Sequence, residues 1–272
     1  MTAVLQVLLL ALIQGLTEFL PVSSSGHLVL AQQLLNQSLQ IGNHLVLDVA
    51  LHLGTLVPVL WFYRHDLVEV SRRTLDRASP KGGDARRYIM YIVAASVPTA
   101  IIGLGFEDQF KALFSSTSAV GVALLITGAL LVASRVFEAG IGGKPTAGSS
   151  LTTGLSLPIV LAIGLAQGLA ITPGISRSGA TIAVALMLGV PRSQAARFSF
   201  LLSVPAIGGA ALMELTDAGA DLQLGLLAIG FTAAALVGYG ALWMLVKLVD
   251  GGRLWMFAPY VVLLGLIAIV FG

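Results

Sequence analysis

The chain alternates long apolar runs with short polar interruptions, and two of those runs break and restart. The first, Val4 to Leu20, is an apolar helix carrying Gln6, Gln14 and Glu18; it breaks at Ser23-Ser24-Ser25-Gly26 and resumes as Leu28 to Leu35. That second arm is too short to cross a hydrocarbon core, which takes about 20 helical residues. The pattern predicts a re-entrant hairpin whose arms enter and leave by one face. The second broken run, from about Thr153 to Leu188, contains Gln167 to Ala180, which matches Gln14 to His27 at a constant offset of 153. Gln14, Gly15, Leu16, Ser23, Ser25 and Gly26 fall on Gln167, Gly168, Leu169, Ser176, Ser178 and Gly179, six identities in thirteen ungapped positions. A membrane helix that breaks frees backbone donors that only a buried cavity or a polar ligand can satisfy. Two such breaks in corresponding halves point to the binding site.

The remaining apolar runs predict six full spans: Leu45 to Tyr63, Tyr88 to Gly105, Ser116 to Ser134, Phe198 to Met213, Leu224 to Val246 and Leu254 to Phe271. Loop charge orients them. Residues 1–63 hold no Lys or Arg, whereas Arg64 to Arg87 holds seven basic residues against four acidic ones, which places that segment on the cytoplasmic side. Loop Phe106 to Phe114 has a single Lys and loop Glu214 to Gln223 has three acids and no base, so both lie outside. Arg135, Lys144, Arg192, Arg197, Lys247 and Arg253 mark the inside. The first hairpin therefore dips in from the outer face and the second from the inner face. Three spans follow each hairpin, an odd number, and this inverts the second copy. The predicted fold class is an all-α polytopic membrane protein, six transmembrane helices plus two re-entrant helical hairpins in an inverted-topology repeat. It is one domain over 1–272, with a first repeat over 1–134 (hairpin about 4–35) and a second over 153–272 (hairpin about 153–188). Ser96-Val97-Pro98 and Ser203-Val204-Pro205 match at a different offset, 107, and read as coincidence or a shared proline kink.

Composition agrees with this picture. With 272 residues, 57% hydrophobic and 10% charged, and a mean hydropathy of +0.94, the chain has too little polar surface for a soluble globule of its size. Basic residues are dispersed between spans rather than gathered on one face, so the net charge of +2 does not suggest a nucleic-acid partner. No Cys is present, which excludes disulfides and thiolate chemistry. The first apolar run lacks a basic leader and a small-residue cleavage site, so it reads as structure and not as a signal peptide.

The chemistry concentrates at the two breaks. Glu18 is an ionisable residue at membrane depth, a position costing about 2.5 to 3.5 kcal/mol, and Gln14 lies one turn before it. Arg177 is the sole basic residue between Lys144 and Arg192 and stands at the second break, where it cannot snorkel. In Pro173-Gly174-Ile175-Ser176-Arg177-Ser178-Gly179-Ala180-Thr181, backbone N–H groups, hydroxyls, a guanidinium and a helix N-terminus are expected to face one point, the recipe for a phosphate site. Ser23, Ser24, Ser25 and His27 form the complementary tip. A hydroxyl, an imidazole and a carboxylate are the parts needed to activate a nucleophile. The structural alternatives are that Glu18 and Arg177 only pair to hold the tips together, that one or more serines are turns and caps, and that His27 is a hydrogen-bonded interior histidine. Asp48 and His52, one turn apart with no break nearby, are assigned a supporting role.

At these residues the sequence resembles the undecaprenyl pyrophosphate phosphatase family, bacterial membrane enzymes associated with bacitracin resistance. That family shows Glu/Gln-x-x-x-Glu followed by a Ser-rich Gly-His segment, and Pro-Gly-x-Ser-Arg-Ser-x-x-Thr; here these stand at Gln14 to Glu18, Ser23 to His27 and Pro173 to Thr181. The resemblance implies hydrolysis of the C55 isoprenyl diphosphate to the monophosphate and inorganic phosphate at the outer side of the cytoplasmic membrane, recycling the lipid carrier of peptidoglycan synthesis. It implies a divalent cation, Mg²⁺ or Ca²⁺, brought by the diphosphate or held in part by Glu18. Gln14 stands where many relatives have Glu, which leaves Glu18 as the acidic residue. The expected catalytic residues are Glu18, Ser24, His27 and Arg177, with Glu18 orienting His27 or the cation, and the expected substrate-binding residues are Gln14, Ser23, Ser25, Gly174, Ser176, Ser178 and Thr181. The nucleophile is left open among Ser24, His27 and water. Expected partners are undecaprenyl diphosphate, membrane lipids and a second copy of the chain as a homodimer. Rival readings are a secondary transporter or lipid flippase with a midplane anion site, an acid phosphatase similar in its Ser25-Gly26-His27, and an intramembrane serine protease built on Ser176. The acid phosphatase pattern requires a His where Ala183 stands, and Arg177 beside Ser176 suits a phosphate better than a peptide carbonyl.

Overall fold

The computed structural model describes residues 3–35, 44–76, 82–140, 150–216 and 224–271, and all regular structure among them is helical. Helix α1 (Ala3–Phe19) ends in the turn Leu20 to Ser23, and α2 (Ser24–Leu35) returns alongside it. The break thus precedes Ser24, and Ser24, Ser25 and Gly26 form the first turn of α2 rather than the interruption itself. Ser23 turns the chain with a φ of 70°. α3 (His44–Phe62) follows, then α4 (Arg64–Leu75), bent 69° from it. α5 (Gly82–Gly105), the short α6 (Glu107–Phe114) and α7 (Thr117–Gly140) complete the first half. The second half contains α8 (Leu157–Leu169), α9 (Arg177–Met187), α10 (Arg192–Thr216), α11 (Leu224–Asp250), a 3₁₀ turn Leu254–Phe257 and α12 (Ala258–Phe271).

Several expectations change here. The stretch Arg64 to Arg87, read as a polar loop, contains α4 and the first turns of α5, because its charges alternate with Leu67, Val70 and Ala85, which pack inward. Phe106 to Phe114, also read as a loop, is mostly α6. The spans begin or end a turn or two beyond their apolar cores, α5 starting at Gly82 and α7 ending at Gly140, because a helix continues as long as its backbone can, whatever its side chains meet. Arg77, Lys81, Lys144 and residues 217–223 lie outside the described residues.

Five described helices are long and apolar enough to cross a membrane: α5, α7, α10, α11 and the 3₁₀ turn with α12. The bent pair α3 and α4 makes a sixth. α1, α8 and α9 are apolar but short. Pro58, Pro98 and Pro205 sit inside α3, α5 and α10, so the two Ser-Val-Pro segments are both mid-helix. The core runs between the two broken segments and the long helices, with Phe19 edge-on to Phe200 at 5.9 Å and Phe200 stacked on Tyr63 at 6.3 Å.

Packing places the hairpins together. α1 lies against α11 of the second half and α8 lies against α5 of the first, so each half holds the other's broken helix. Gly15 lets α1 approach Ala234 and Val237 of α11, and its repeat counterpart Gly168 lets α8 approach Thr99 and Ile102 of α5. The tips then meet directly: Gly174 N–H donates to Ser23 Oγ at 3.1 Å, and Ser178 Oγ donates to Leu20 O at 3.3 Å.

Candidate active site

Glu18 occupies the last turn of α1 and is buried. Its Oε2 accepts Gln14 Nε2 at 2.9 Å and Ser24 Oγ at 2.7 Å. Its Oε1 is paired with Arg177 Nη2. Ser24 and Arg177 are the opening residues of α2 and α9, and they correspond to each other under the 153-residue offset. The second arms of the two hairpins therefore present their equivalent first residues, one a hydroxyl and the other a guanidinium, to the two oxygens of a single carboxylate. Two charges taken out of water together need good geometry and further hydrogen bonds, which Gln14 and Ser24 supply. Arg177 Nη1 is buried without a partner among the described residues. An unpartnered guanidinium N–H is a strong donor with the capacity to hydrogen-bond an oxyanion.

The local frames of the two tips repeat. Ser23 Oγ accepts Gly26 N–H at 3.3 Å, and Ser176 Oγ accepts Gly179 N–H at 3.1 Å. Ser23 and Ser25 hydroxyls lie 3.3 Å apart, as do Ser176 and Ser178. Both first serines are helix caps, which satisfy N–H groups that a helix start leaves free. Ser23 Oγ accepts from two N–H groups, Gly26 and Gly174, so its own proton goes to Ser25 Oγ. This leaves the Ser25 proton, on the partly exposed side of α2, to donate elsewhere.

The substrate-binding assignments divide accordingly. Gln14, Ser25 and Arg177 carry groups with capacity to spare, Gln14 through an Oε1 that is buried and unpartnered among the described residues. The remainder of the Pro-Gly-x-Ser-Arg-Ser loop makes its hydrogen bonds within the protein. Gly174 has φ of 100° and lies so close to Val120 and Ala123 of α7 that a side chain has no room, while its N–H and carbonyl are taken by Ser23 and Thr127. Thr181 donates to Arg177 O at 2.8 Å, Ser178 to Leu20 O, and Ser176 and Ser23 are caps.

His27 also stands otherwise than expected. It does not face Glu18. Its Nδ1 lies 2.7 Å from Ser23 O and its Nε2 lies 2.7 Å from Tyr260 Oη of α12, with the rings stacked at 5.7 Å. A carbonyl only accepts, so Nδ1 carries the proton and Nε2 accepts from the Tyr260 hydroxyl. One helical turn separates His27 from Ser23, and the ring leans back along α2 rather than across to α1. The imidazole near the carboxylate is that of His52, with Nε2 3.9 Å from Glu18 Oε2 and Nδ1 2.8 Å from Asp48 O.

Three residues outside the motifs contact the residues of the two tips. Thr127 of α7 donates to Gly174 O at 2.9 Å and accepts Ser176 N–H at 3.0 Å, so one hydroxyl bridges both ends of the second break. Tyr260 and His52 are the others. Thr127 and Tyr260 are ordinary members of apolar spans, with no local signal to distinguish them. His52 carried the signal of an ionisable residue within a span.

Among the described residues no three His, Asp or Glu side chains stand together as a metal site. The Glu18 carboxylate and the spare oxygen of Gln14 stand one turn apart, and such a pair would fit a hard cation that takes one or two protein oxygens and completes its shell with phosphates and water.

A family profile described as Bacitracin resistance protein BacA matches residues 7–267. Among curated proteins, the chain is 44% identical over 282 residues to an undecaprenyl-diphosphatase of Desulfatibacillum aliphaticivorans, with 98% of each chain covered. It is 45% identical over 274 residues to an undecaprenyl-diphosphatase of Desulfosudis oleivorans, with 96% of each covered. A third undecaprenyl-diphosphatase, from Methanosphaera stadtmanae, is 36% identical over 288 residues, covering 99% of this chain and 98% of the relative. With a profile match over nearly its whole length and relatives of equal length carrying the name of one enzyme, the chain belongs to the bacitracin resistance protein BacA family.

Proposed function

We propose that this multi-pass membrane protein is a phosphatase that hydrolyses undecaprenyl diphosphate to undecaprenyl phosphate and inorganic phosphate, with Ser24 as nucleophile, Glu18 as its base and Arg177 as the phosphate clamp. The name the relatives share, undecaprenyl-diphosphatase, points to the substrate. The observation that carries the residue roles is the Ser24 hydroxyl donating to Glu18 Oε2 at 2.7 Å beside a guanidinium with an unpartnered amino group.

The terminal phosphate docks against Arg177 Nη1, the Ser25 hydroxyl and the first amides of α2, which a helix leaves without internal acceptors. Ser24 Oγ attacks the terminal phosphorus as its proton passes to Glu18 Oε2. The bond to the bridging oxygen breaks, and the isoprenyl monophosphate leaves with that electron pair. It leaves as a stabilised anion and requires no proton. Water then attacks the phosphoseryl phosphorus and the bond to Ser24 Oγ breaks; Ser24 Oγ takes back the proton held by Glu18, and the protons of the attacking water stay on the inorganic phosphate that leaves. Arg177 stabilises the charge on the equatorial oxygens through both steps, since Nη2 remains with Glu18 while Nη1 serves the phosphate. Glu18 and Gln14 Oε1 would hold a divalent cation, which when bound would supply neutralisation of the phosphate charge. His27 keeps the α2 turn in place through Ser23 O, a positioning role that replaces direct activation of Ser24.

The finer architecture belongs to the same reading: six spans and two re-entrant hairpins related by an inverted two-fold, the halves being 1–134 and 153–272. The exchanged packing of α1 on α11 and of α8 on α5 supports it, as does the mutual approach of Gly121 and Gly265 where α7 meets α12. The enzyme sits in the cytoplasmic membrane with Ser24, Ser25 and His27 toward the outer face, a placement the Lys/Arg-free segment 1–63 supports. No described feature favours the transporter alternative.

Phosphate release from undecaprenyl and farnesyl diphosphates by wild type, Ser24→Ala, Glu18→Gln and Arg177→Ala tests the reading, together with acid-quenched turnover on terminally labelled substrate. Each variant is expected to lose at least about 10³-fold in kcat, and quenched wild type to retain label on Ser24. Near-normal release by Ser24→Ala overturns the seryl route, and near-normal release by Arg177→Ala overturns the site.

A further inference from the structure

A second surface lies away from the hairpin tips, around α4. The bend of 69° at Tyr63 sends α4 nearly sideways from α3. Its inner face is taken by Val70 against the core and by Asp66, 3.4 Å from Arg197 of α10. Its outer face carries Arg64, Val68, Arg72 and Leu75, spaced four, four and three residues apart and so aligned along one side of the helix. Val68 is 66% and Leu75 83% exposed. An alternation of bare aliphatic side chains with guanidinium groups suits neither open water nor a hydrocarbon core. It suits the boundary between them, where the apolar groups enter the acyl region and the long basic chains reach up to phosphates.

The level of that boundary is marked independently. The chain has three tryptophans, and all three lie partly exposed at this end of the molecule. α3 and α11 run parallel, since Gly230 faces Leu47 and Leu51 while Gly238 faces Thr55 and Pro58, so their C-termini emerge together. Trp61 closes α3, with the Arg64 guanidinium 4.5 Å over its ring. Trp243 lies in the last turns of α11, with Lys247 Nζ 3.6 Å over its ring. Trp255 follows in the 3₁₀ turn just past the end of α11, two residues after the exposed Arg253. Tryptophans paired with cations at the ends of parallel spans are the signature of an interfacial belt. α4 departs at that level, and the exposed Arg86 and Arg87 at the start of α5 add to its positive charge.

We propose that α4, with the Trp61/Arg64 and Trp243/Lys247 pairs, is a docking surface for anionic phospholipid headgroups of the leaflet on this side of the protein. Val68 and Leu75 enter the acyl boundary, and Arg64 and Arg72 take the phosphates. The surface is independent of the catalytic residues.

The absence of cysteine makes the test clean. Val68→Cys and Leu75→Cys, each the sole thiol in the protein, are labelled with an environment-sensitive fluorophore and reconstituted in phosphatidylcholine vesicles with and without phosphatidylglycerol. Blue-shifted emission is expected at both sites, with quenching by lipids spin-labelled near the headgroup. Spin-labelled phosphatidylglycerol should quench more than spin-labelled phosphatidylcholine, and that preference should fall about fivefold when Arg72→Gln is added. Arg72 is exposed on α4, so its loss leaves the core intact, and retained phosphate release by the same sample confirms a folded protein. Water-like emission overturns the proposal. So does quenching that is equal for the two lipids, and so does shielding that varies with protein density in the vesicles, which would assign the face to a second copy.

Discussion

Glu18 is the residue on which the two halves converge, and its environment separates stability from chemistry. Removing Arg177 strands a buried carboxylate, so Arg177→Ala should lower Tm by roughly 10 °C as well as abolish turnover. The double variant Glu18→Gln/Arg177→Met removes both charges and should recover most of that Tm with no recovery of activity. Scanning calorimetry in detergent beside a phosphate assay separates the two effects. Tyr260 acts one step further out. Tyr260→Phe keeps the ring stacked on His27 but removes the hydroxyl that fixes its Nε2, and should lower kcat about two- to tenfold, the worth of one hydrogen bond, with KM unchanged. In a His27→Ala background the same substitution should cost nothing more, and an additive loss would separate the two residues.

At the scale of elements, the second hairpin depends on a single hydroxyl from another helix. Thr127 bridges Gly174 O and Ser176 N–H across the break, where hydrocarbon offers no replacement partner. Thr127→Val preserves shape and leaves both groups unsatisfied, so it should destabilise the protein by about 1 to 3 kcal/mol, read as a lower Tm. Thr127→Ser should restore most of it. Gly174→Ala is expected to be more severe than the usual strain of about 1 to 3 kcal/mol, because a left-handed φ and contact with the α7 backbone act together. Expression and Tm in detergent check both. The helices themselves were readable from the apolar runs, but α4 and α6 were not. Their charges mark them as polar stretches; α4 gains its hold from Val70, which packs into the core, whereas α6 buries no residue.

At the scale of the whole molecule, the hairpins are held by exchange, α1 by α11 and α8 by α5, so the site exists only when both halves are assembled. The cation prediction belongs here. Glu18 and Gln14 would offer a cation two oxygens, too few to make folding hang on it, so the chain is expected to fold without a metal. A chelator should abolish phosphate release while leaving Tm unchanged in the absence of substrate. A large fall in Tm on chelation would require a resident metal and further ligands.

Apolar period, charge asymmetry and the repeat at an offset of 153 were enough to identify a membrane protein with two broken helices and to bring Glu18, Ser24 and Arg177 forward, because burying an acid and a base at membrane depth is too costly to be incidental. Their mutual contact was an inference from topology, and the structure places them on one another. What the linear chain could not determine was direction. Ser24 and His27 are three residues apart on one helix, and which of them faces Glu18 depends on how α2 is rotated against α1 and α12. Likewise, whether the hydroxyls of Ser176, Ser178 and Thr181 look outward or bond within the protein depends on how the second break is packed against α7 and the first hairpin. Hydrogen bonds are directional, and side-chain direction is set by packing between elements, which only the assembled fold supplies.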